Sequence, residues 1–191
     1  MKVIGFSGSP RTGGNTERMI QRIFSILEEE GIETELIQIG GKPLRGCSAC
    51  MKCYENKDGA CAIDTDNLNE YARKMADADA IILGSPTYFA DVTSEMKALI
   101  DRCGMIAKAN GDLFQRKVGA AVVTARRSGA IHVFDTMNHF FLISQMIIPG
   151  SSYWNIGIGR APGEVEDDGE GMMTMEILGN NIAWLLKKIH Q

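Results

Sequence analysis

A short apolar strand, a loop suited to phosphate and an amphipathic helix follow one another at the start of this chain. Together they limit its fold more than any other feature. Lys2-Val3-Ile4-Gly5 reads as the strand, and Phe6-Ser7-Gly8-Ser9-Pro10-Arg11-Thr12-Gly13-Gly14-Asn15 as the loop. From Thr16 to Glu30, Met19, Ile20, Ile23, Phe24 and Leu27 fall at the three-and-four spacing of one buried helix face. The loop therefore lies at a helix N-terminus, where unpaired backbone N–H groups and the positive dipole end favour an anion. Hydroxyls of Ser7, Ser9, Thr12 and Thr16, the Asn15 amide and the Arg11 fork add donors. A triphosphate is a poor fit, because Gly14 and Asn15 stand where G-x-x-x-x-G-K-[ST] requires Lys and Ser or Thr. The spacing of Gly5 and Gly8 also fails the dinucleotide pattern, so a phosphomonoester is the better guest, against a plain Gly/Ser turn capping the helix.

Beyond this unit the pattern predicts strands over 33–39, 80–85, 117–125 and 146–148, and helices over 66–78, 94–103, 130–145 and 173–189. The helix over 130–145 carries Phe134, Met137, Phe141 and Leu142 on one side. The stretch 80–85 is almost wholly apolar, as a strand buried on both faces requires. Five βα alternations imply a doubly wound parallel sheet, α/β in class, with ligands beyond the carboxyl ends of the strands. With 191 residues and 45% hydrophobic content the chain supports one domain spanning 1–191. A net charge of -4 argues against nucleic acid and anionic membrane surfaces as partners. No apolar run reaches the roughly 18 residues of a spanning helix, and no signal-peptide pattern opens the chain, so a cytoplasmic protein is expected.

Three strand ends are unusual in composition. The first is the phosphate loop, and the second is Ser85-Pro86-Thr87-Tyr88-Phe89-Ala90-Asp91, a proline-stiffened turn with two aromatic rings. The third is Thr124-Ala125-Arg126-Arg127-Ser128-Gly129. Phosphate donors, an aromatic platform and a polar loop at one crevice suit a phosphorylated planar ring, namely flavin mononucleotide (FMN). The segment 157–171, acidic and glycine-rich, reads as a solvated connection or a lid.

Ser7-Gly8-Ser9-Pro10-Arg11 with Gly14-Asn15-Thr16, Gly84 to Phe89, and the helix Met96 to Arg102 resemble the NADPH-dependent FMN reductases and, among them, the iron-sulfur flavoproteins. The resemblance extends to Tyr153-Trp154-Asn155. It implies a flavodoxin-like sheet of order 2-1-3-4-5. It also implies phosphate contacts from Ser9, Arg11, Asn15 and Thr16, and ring contacts from Pro86, Thr87, Tyr88 and Phe89. Thr124, Ala125, Arg126, Ser128 and Gly129 would line the other side of the ring. Homodimers or homotetramers are implied as well.

Cys47, Cys50, Cys53 and Cys61 fall within fifteen positions as C-x2-C-x2-C-x7-C, in a loop of about 40–64. Four thiolates suit a [4Fe-4S] cluster or tetrahedral zinc, and the same residues can also serve as thiols. The spacing resembles the compact motif of the iron-sulfur flavoproteins, in which a [4Fe-4S] cluster exchanges electrons with FMN. Cys103 is expected in the core, and His132, His139 and His190 lack ligand spacing. The expected activity is an FMN-dependent oxidoreductase serving small-molecule or protein electron donors and acceptors. The flavin would do the chemistry, so no side chain is assigned as catalytic. An NAD(P)H-dependent flavin or quinone reductase without a cluster, and a thiol or metal redox sensor, are the alternatives.

Overall fold

A computed structural model describes residues 1–191. Its elements, in chain order, are β1 (Lys2–Ser7), α1 (Asn15–Glu29), β2 (Glu33–Gln38), α2 (Lys52–Asn56), α3 (Leu68–Asp77), β3 (Ala80–Pro86), α4 (Ser94–Ala109), β4 (Val118–Ala125), α5 (Ala130–Ile143), β5 (Ile156–Ile158) and α6 (Gly169–Ile189). The strands form one parallel sheet in the order β2-β1-β3-β4-β5, as expected.

The period-two alternation of the central strands sends side chains to two separate cores. Ile4, Phe6, Ile81, Leu83, Ala121 and Val123 meet α3, α4 and α5 through Tyr71, Met75, Met96, Leu99, Met137 and Phe141. Val3, Ile82, Ala120 and Val122 meet α1 and α6 through Ile20, Ile23, Leu27, Leu178 and Ile182. Each of the larger aliphatic and Phe side chains contributes about 1.5–3 kcal/mol by leaving water, so the sheet is held from both sides and its strand ends are firmly placed. Cys103 is fully buried in the first core.

The last strand lies elsewhere than 146–148. Met146 fills the core beside Gly119, and Ile147 makes only an isolated bridge to Val118. Pro149 cannot donate to a ladder, so the chain leaves the sheet there and returns as Ile156–Ile158 beside Val123–Ala125. A three-residue strand centred on glycine carries little apolar signal. A Cβ at Gly157 would fall 2.5 Å from Met19 Sδ and 2.6 Å from Val165 Cγ2, so these buried side chains would have to shift. On α5 the buried face is Val133, Met137, Phe140 and Phe141, whereas Leu142 faces solvent at 62% exposure. Two helices extend beyond their expected ends, α4 to Ala109 and α6 back to Gly169, where Asp168 Oδ1 caps by accepting from Gly171 N–H at 3.0 Å. No helix is long and apolar enough to cross a membrane.

Candidate functional site

The carboxyl ends of β1, β3, β4 and β5 surround a cleft of about 280 Å³. Ser9, Arg11, Asn15, Thr16, Pro86, Thr87, Tyr88, Thr124, Ala125, Arg126, Gly159 and Arg160 line it. Of the residues expected there, Phe89, Ser128 and Gly129 lie outside the lining, while Gly159 and Arg160 are additions. Those two follow β5, and the misplaced strand hid them. Gly157-Ile158-Gly159-Arg160, a glycine pair leading into an arginine, was the available signal.

The phosphate loop is rich in unused donors. α1 starts from Gly14, which offers no side-chain cap, and Glu17 reaches back to accept from Gly13 N–H at 2.7 Å. The N–H groups of Ser9, Thr12, Asn15, Thr16 and Glu17 donate to no atom of the chain. Ser7 shares the α1 side of β1 with Gly5, is fully buried, and has an Oγ with no partner. Such donors at a helix start form an anion site. At the end of β4 the N–H groups of Arg126, Arg127, Ser128 and Gly129 are likewise unpaired.

The neighbouring side chains hold this frame together. Asn15 was expected to donate to phosphate, yet its Nδ2 donates to Ala161 O at 3.0 Å and its Oδ1 accepts from Gly163 N–H at 2.7 Å. It fastens the segment after β5 to the start of α1, so that Gly159 and Arg160 form one wall of the cleft. Arg11 Nη1 donates to Arg160 O at 3.1 Å, and the Thr16 and Thr124 hydroxyls are bonded at 2.8 Å across the buried floor. Thr87 uses both its N–H and its Oγ1 on Thr124 O, at 2.8 and 3.0 Å. Gly40 packs against the phosphate loop so closely that a Cβ would lie 2.2 Å from Ser9 C and 2.3 Å from Ser9 O. Gln38 Nε2 donates to the same Ser9 carbonyl.

Tyr88 and Asp91 exchange backbone hydrogen bonds of 2.9 and 3.0 Å around Phe89 and Ala90, whose φ angles are +49° and +62°. This is the pattern of a type I′ turn, usually built from Asn-Gly, and here it sets the Phe89 ring fully in solvent. Left-handed backbone costs a non-glycine residue about 1–2 kcal/mol. The double substitution Phe89→Asn, Ala90→Gly is therefore expected to raise the urea midpoint, by about 1 kcal/mol after the entropy added to the unfolded chain.

The four loop cysteines border a second, smaller cavity together with Arg102, Met105 and Ile106. The loop turns N–H donors toward sulfur. Ala49 N–H donates to Cys47 Sγ at 3.4 Å, and Arg102 Nε donates to Cys61 Sγ at 3.4 Å. The Lys52 N–H and then the Ser48 side chain hold the Cys50 thiol below its ordinary range. Ala49 and Met51 adopt left-handed backbone, which wraps the chain tightly between Cys47 and Cys53. Four thiols on one cavity with donors aimed at sulfur fit a thiolate-ligated cluster better than a disulfide, and no cysteine is bridged. Burial pushes the Cys103 thiol far up, so it stays protonated and inert.

The family profile of the NADPH-dependent FMN reductases matches residues 1–161. The chain belongs to this family. It is 40% identical to an iron-sulfur flavoprotein of Methanocaldococcus jannaschii over 99% of both chains. It is 32% identical to an iron-sulfur flavoprotein of Methanosarcina thermophila, covering 100% of this chain and 98% of that one. Among solved structures, RosB aligns with a TM-score of 0.77 at 20% identity, covering 100% of this chain and 80% of its own, which supports the shared fold. As an FMN reductase family member the chain is an FMN-dependent oxidoreductase.

Proposed function

We propose that the cleft at the ends of β1, β3, β4 and β5 binds FMN, and that Cys47, Cys50, Cys53 and Cys61 hold a [4Fe-4S] cluster in an electron-transferring oxidoreductase. The observation that carries the flavin reading is the set of unpaired N–H groups from Ser9 to Glu17 around the bare start of α1. FMN supplies the hydride- and electron-accepting chemistry when bound. Ser9 and Arg11 then hold the phosphate, with the α1 amides beneath. Pro86, Thr87 and Tyr88 form one side of the ring site, and the free amides of Arg126 to Gly129 offer donors to its polar edge. Phe89, exposed beside Tyr88, is assigned to the mouth of the site. Exposed Phe89, Tyr153, Trp154 and Ile158 support assembly as a homodimer or homotetramer. The five unbridged thiols support a reducing, cytoplasmic setting.

Comparing flavins with and without phosphate tests the site. Ser9→Ala with Arg11→Ala is expected to weaken FMN binding by about 10- to 100-fold or more, the worth of at least one charge-assisted hydrogen bond, and to leave riboflavin affinity unchanged. Equal loss for both flavins, or wild-type protein that neither retains nor rebinds FMN, would overturn the assignment. A cluster-free NAD(P)H-dependent flavin or quinone reductase is favoured by one observation: Arg126 lines the cleft and Arg127 stands exposed beside it, where a cofactor phosphate can dock. Iron and acid-labile sulfide on anaerobically purified protein, with stopped-flow reduction by NADPH, NADH and reduced ferredoxin, separate the two readings.

A further inference from the structure

Arg102 lies midway along α4 and is among the most deeply buried side chains in the protein. It lies against the cysteine loop and is bonded on every side. Nη1 donates to Asp66 Oδ2 at 2.6 Å and to Arg45 O at 3.1 Å, and Nη2 donates to Ile63 O at 2.7 Å. Those acceptors come from both ends of the loop, and Asp66 in turn accepts from Arg45 N–H at 3.0 Å and Leu68 N–H at 3.3 Å. The remaining Nε donor points to Cys61 Sγ at 3.4 Å. On the other side of Cys61, the Asn69 side chain accepts from its N–H at 2.8 Å and donates to its carbonyl at 3.0 Å. Cys61 is thus held through both backbone groups and its sulfur, while Cys47 and Cys50 are exposed.

We propose that Arg102 is the positioning residue of the cysteine loop. It orders the stretch 45–66 before any cluster is present, fixes Cys61 as the anchoring ligand, and hydrogen-bonds the Cys61 sulfur so as to raise the potential of a cluster bound there. The physical ground for the last part is that reduction adds negative charge to the cluster and its thiolates, which an N–H donor stabilises more in the reduced state. A guanidinium does this where a lysine cannot. Its planar fork reaches Asp66, two carbonyls and one sulfur at once, whereas an ammonium presents a single point. This inference rests on the cluster reading only for the potential; ordering of the loop stands without it.

The test uses the full chain as Arg102→Lys and as the double variant Arg102→Met with Asp66→Leu. The double variant removes both buried charges together, so it folds where Arg102→Met alone would strand a carboxylate. Amide exchange over 45–66 is read by mass spectrometry on cluster-free protein. The same proteins are then reconstituted anaerobically with ferrous iron and sulfide, and the cluster is titrated by electron paramagnetic resonance. The double variant is expected to keep native circular dichroism, exchange the loop amides at least tenfold faster than wild type, and carry any cluster at a lower potential. Arg102→Lys is expected to recover part of the loop protection while its cluster still titrates below wild type. Loop exchange and potential equal to wild type in the double variant would overturn the proposal. Wild-type protein that takes up no iron and sulfide would sink the cluster reading and the potential with it, and exchange would then decide the positioning role alone.

Discussion

Alanine at position 40 is expected to weaken FMN binding strongly without unfolding the protein. Gly40 follows β2, on the far side of the phosphate loop from α1, and has no room for a methyl group. The atoms that would have to yield are the backbone of Ser9 and the Gly8 carbonyl, at 2.2 to 2.5 Å from the added carbon. Backbone cannot rotate aside as a side chain does, and Ser9 O is also held by Gln38. Ser9 must therefore move. Overpacking of this kind costs about 1–3 kcal/mol, and because the displaced segment is the phosphate loop the cost falls on the bound state. The expected loss is about 5- to 150-fold in FMN affinity by fluorescence titration. Gly31→Ala is the matched control. Gly31 is left-handed at φ +74° with open space around it and lies at the opposite end of α1, so it strains the fold but leaves FMN affinity in place.

The second large effect is expected at Asp66→Asn, read by urea unfolding. The Asp66 and Arg102 side chains are 1% and 0% exposed and bonded at 2.6 Å. The amide leaves the guanidinium buried without its counter-charge, a change that costs about 3–5 kcal/mol, against a total stability of about 5–15 kcal/mol for a typical domain. The pH dependence follows from the same contacts. Burial pushes the Asp66 carboxyl up, but the Arg102 hydrogen bond, followed by the N–H groups of Arg45 and Leu68, outweighs burial and holds it below its ordinary value. A carboxyl lowered in the folded state adds stability that is fully present above the unfolded value, about 3.9, and is lost as pH falls through the folded value. Wild-type protein is therefore expected to lose stability on acidification below about pH 4, and Asp66→Asn to show a flatter profile there. An unfolding free energy within 0.5 kcal/mol of wild type at pH 7 would overturn this expectation.

What the sequence disclosed and what it withheld differ in range. The phosphate loop was legible because its glycines, hydroxyls and arginine are contiguous, and β3 because a strand covered on both faces is apolar at every position. β5 was not, since three residues around Gly157 give no periodic signal, while the apolar run 146–148 sends Met146 into the core and leaves Ile147 exposed. Arg160 was lost with that strand. Asn15 was placed at the site, but its engagement with Ala161 and Gly163 depends on a segment 146–148 residues away. Asp66 and Arg102 stand 36 positions apart, and nothing in either neighbourhood announces a buried pair. The cysteine spacing was plain, whereas the arginine behind Cys61 was not.

α4 gives the molecule a ruler. Its cap, Thr93, closes the turn that carries Tyr88 and Phe89, and Thr93 N–H is tied to Ser85 Oγ at 3.1 Å at the end of β3. Arg102 lies eight residues beyond Ser94 on the same uninterrupted helix, about 12 Å along its axis. The spacing between the ring loop and Cys61 is thus counted in helical residues. One residue inserted between Ser94 and Arg102 would swing the guanidinium about 100° around the axis, off the cysteine loop, while leaving both loops chemically intact. This stretch of helix cannot change in length without uncoupling the two loops.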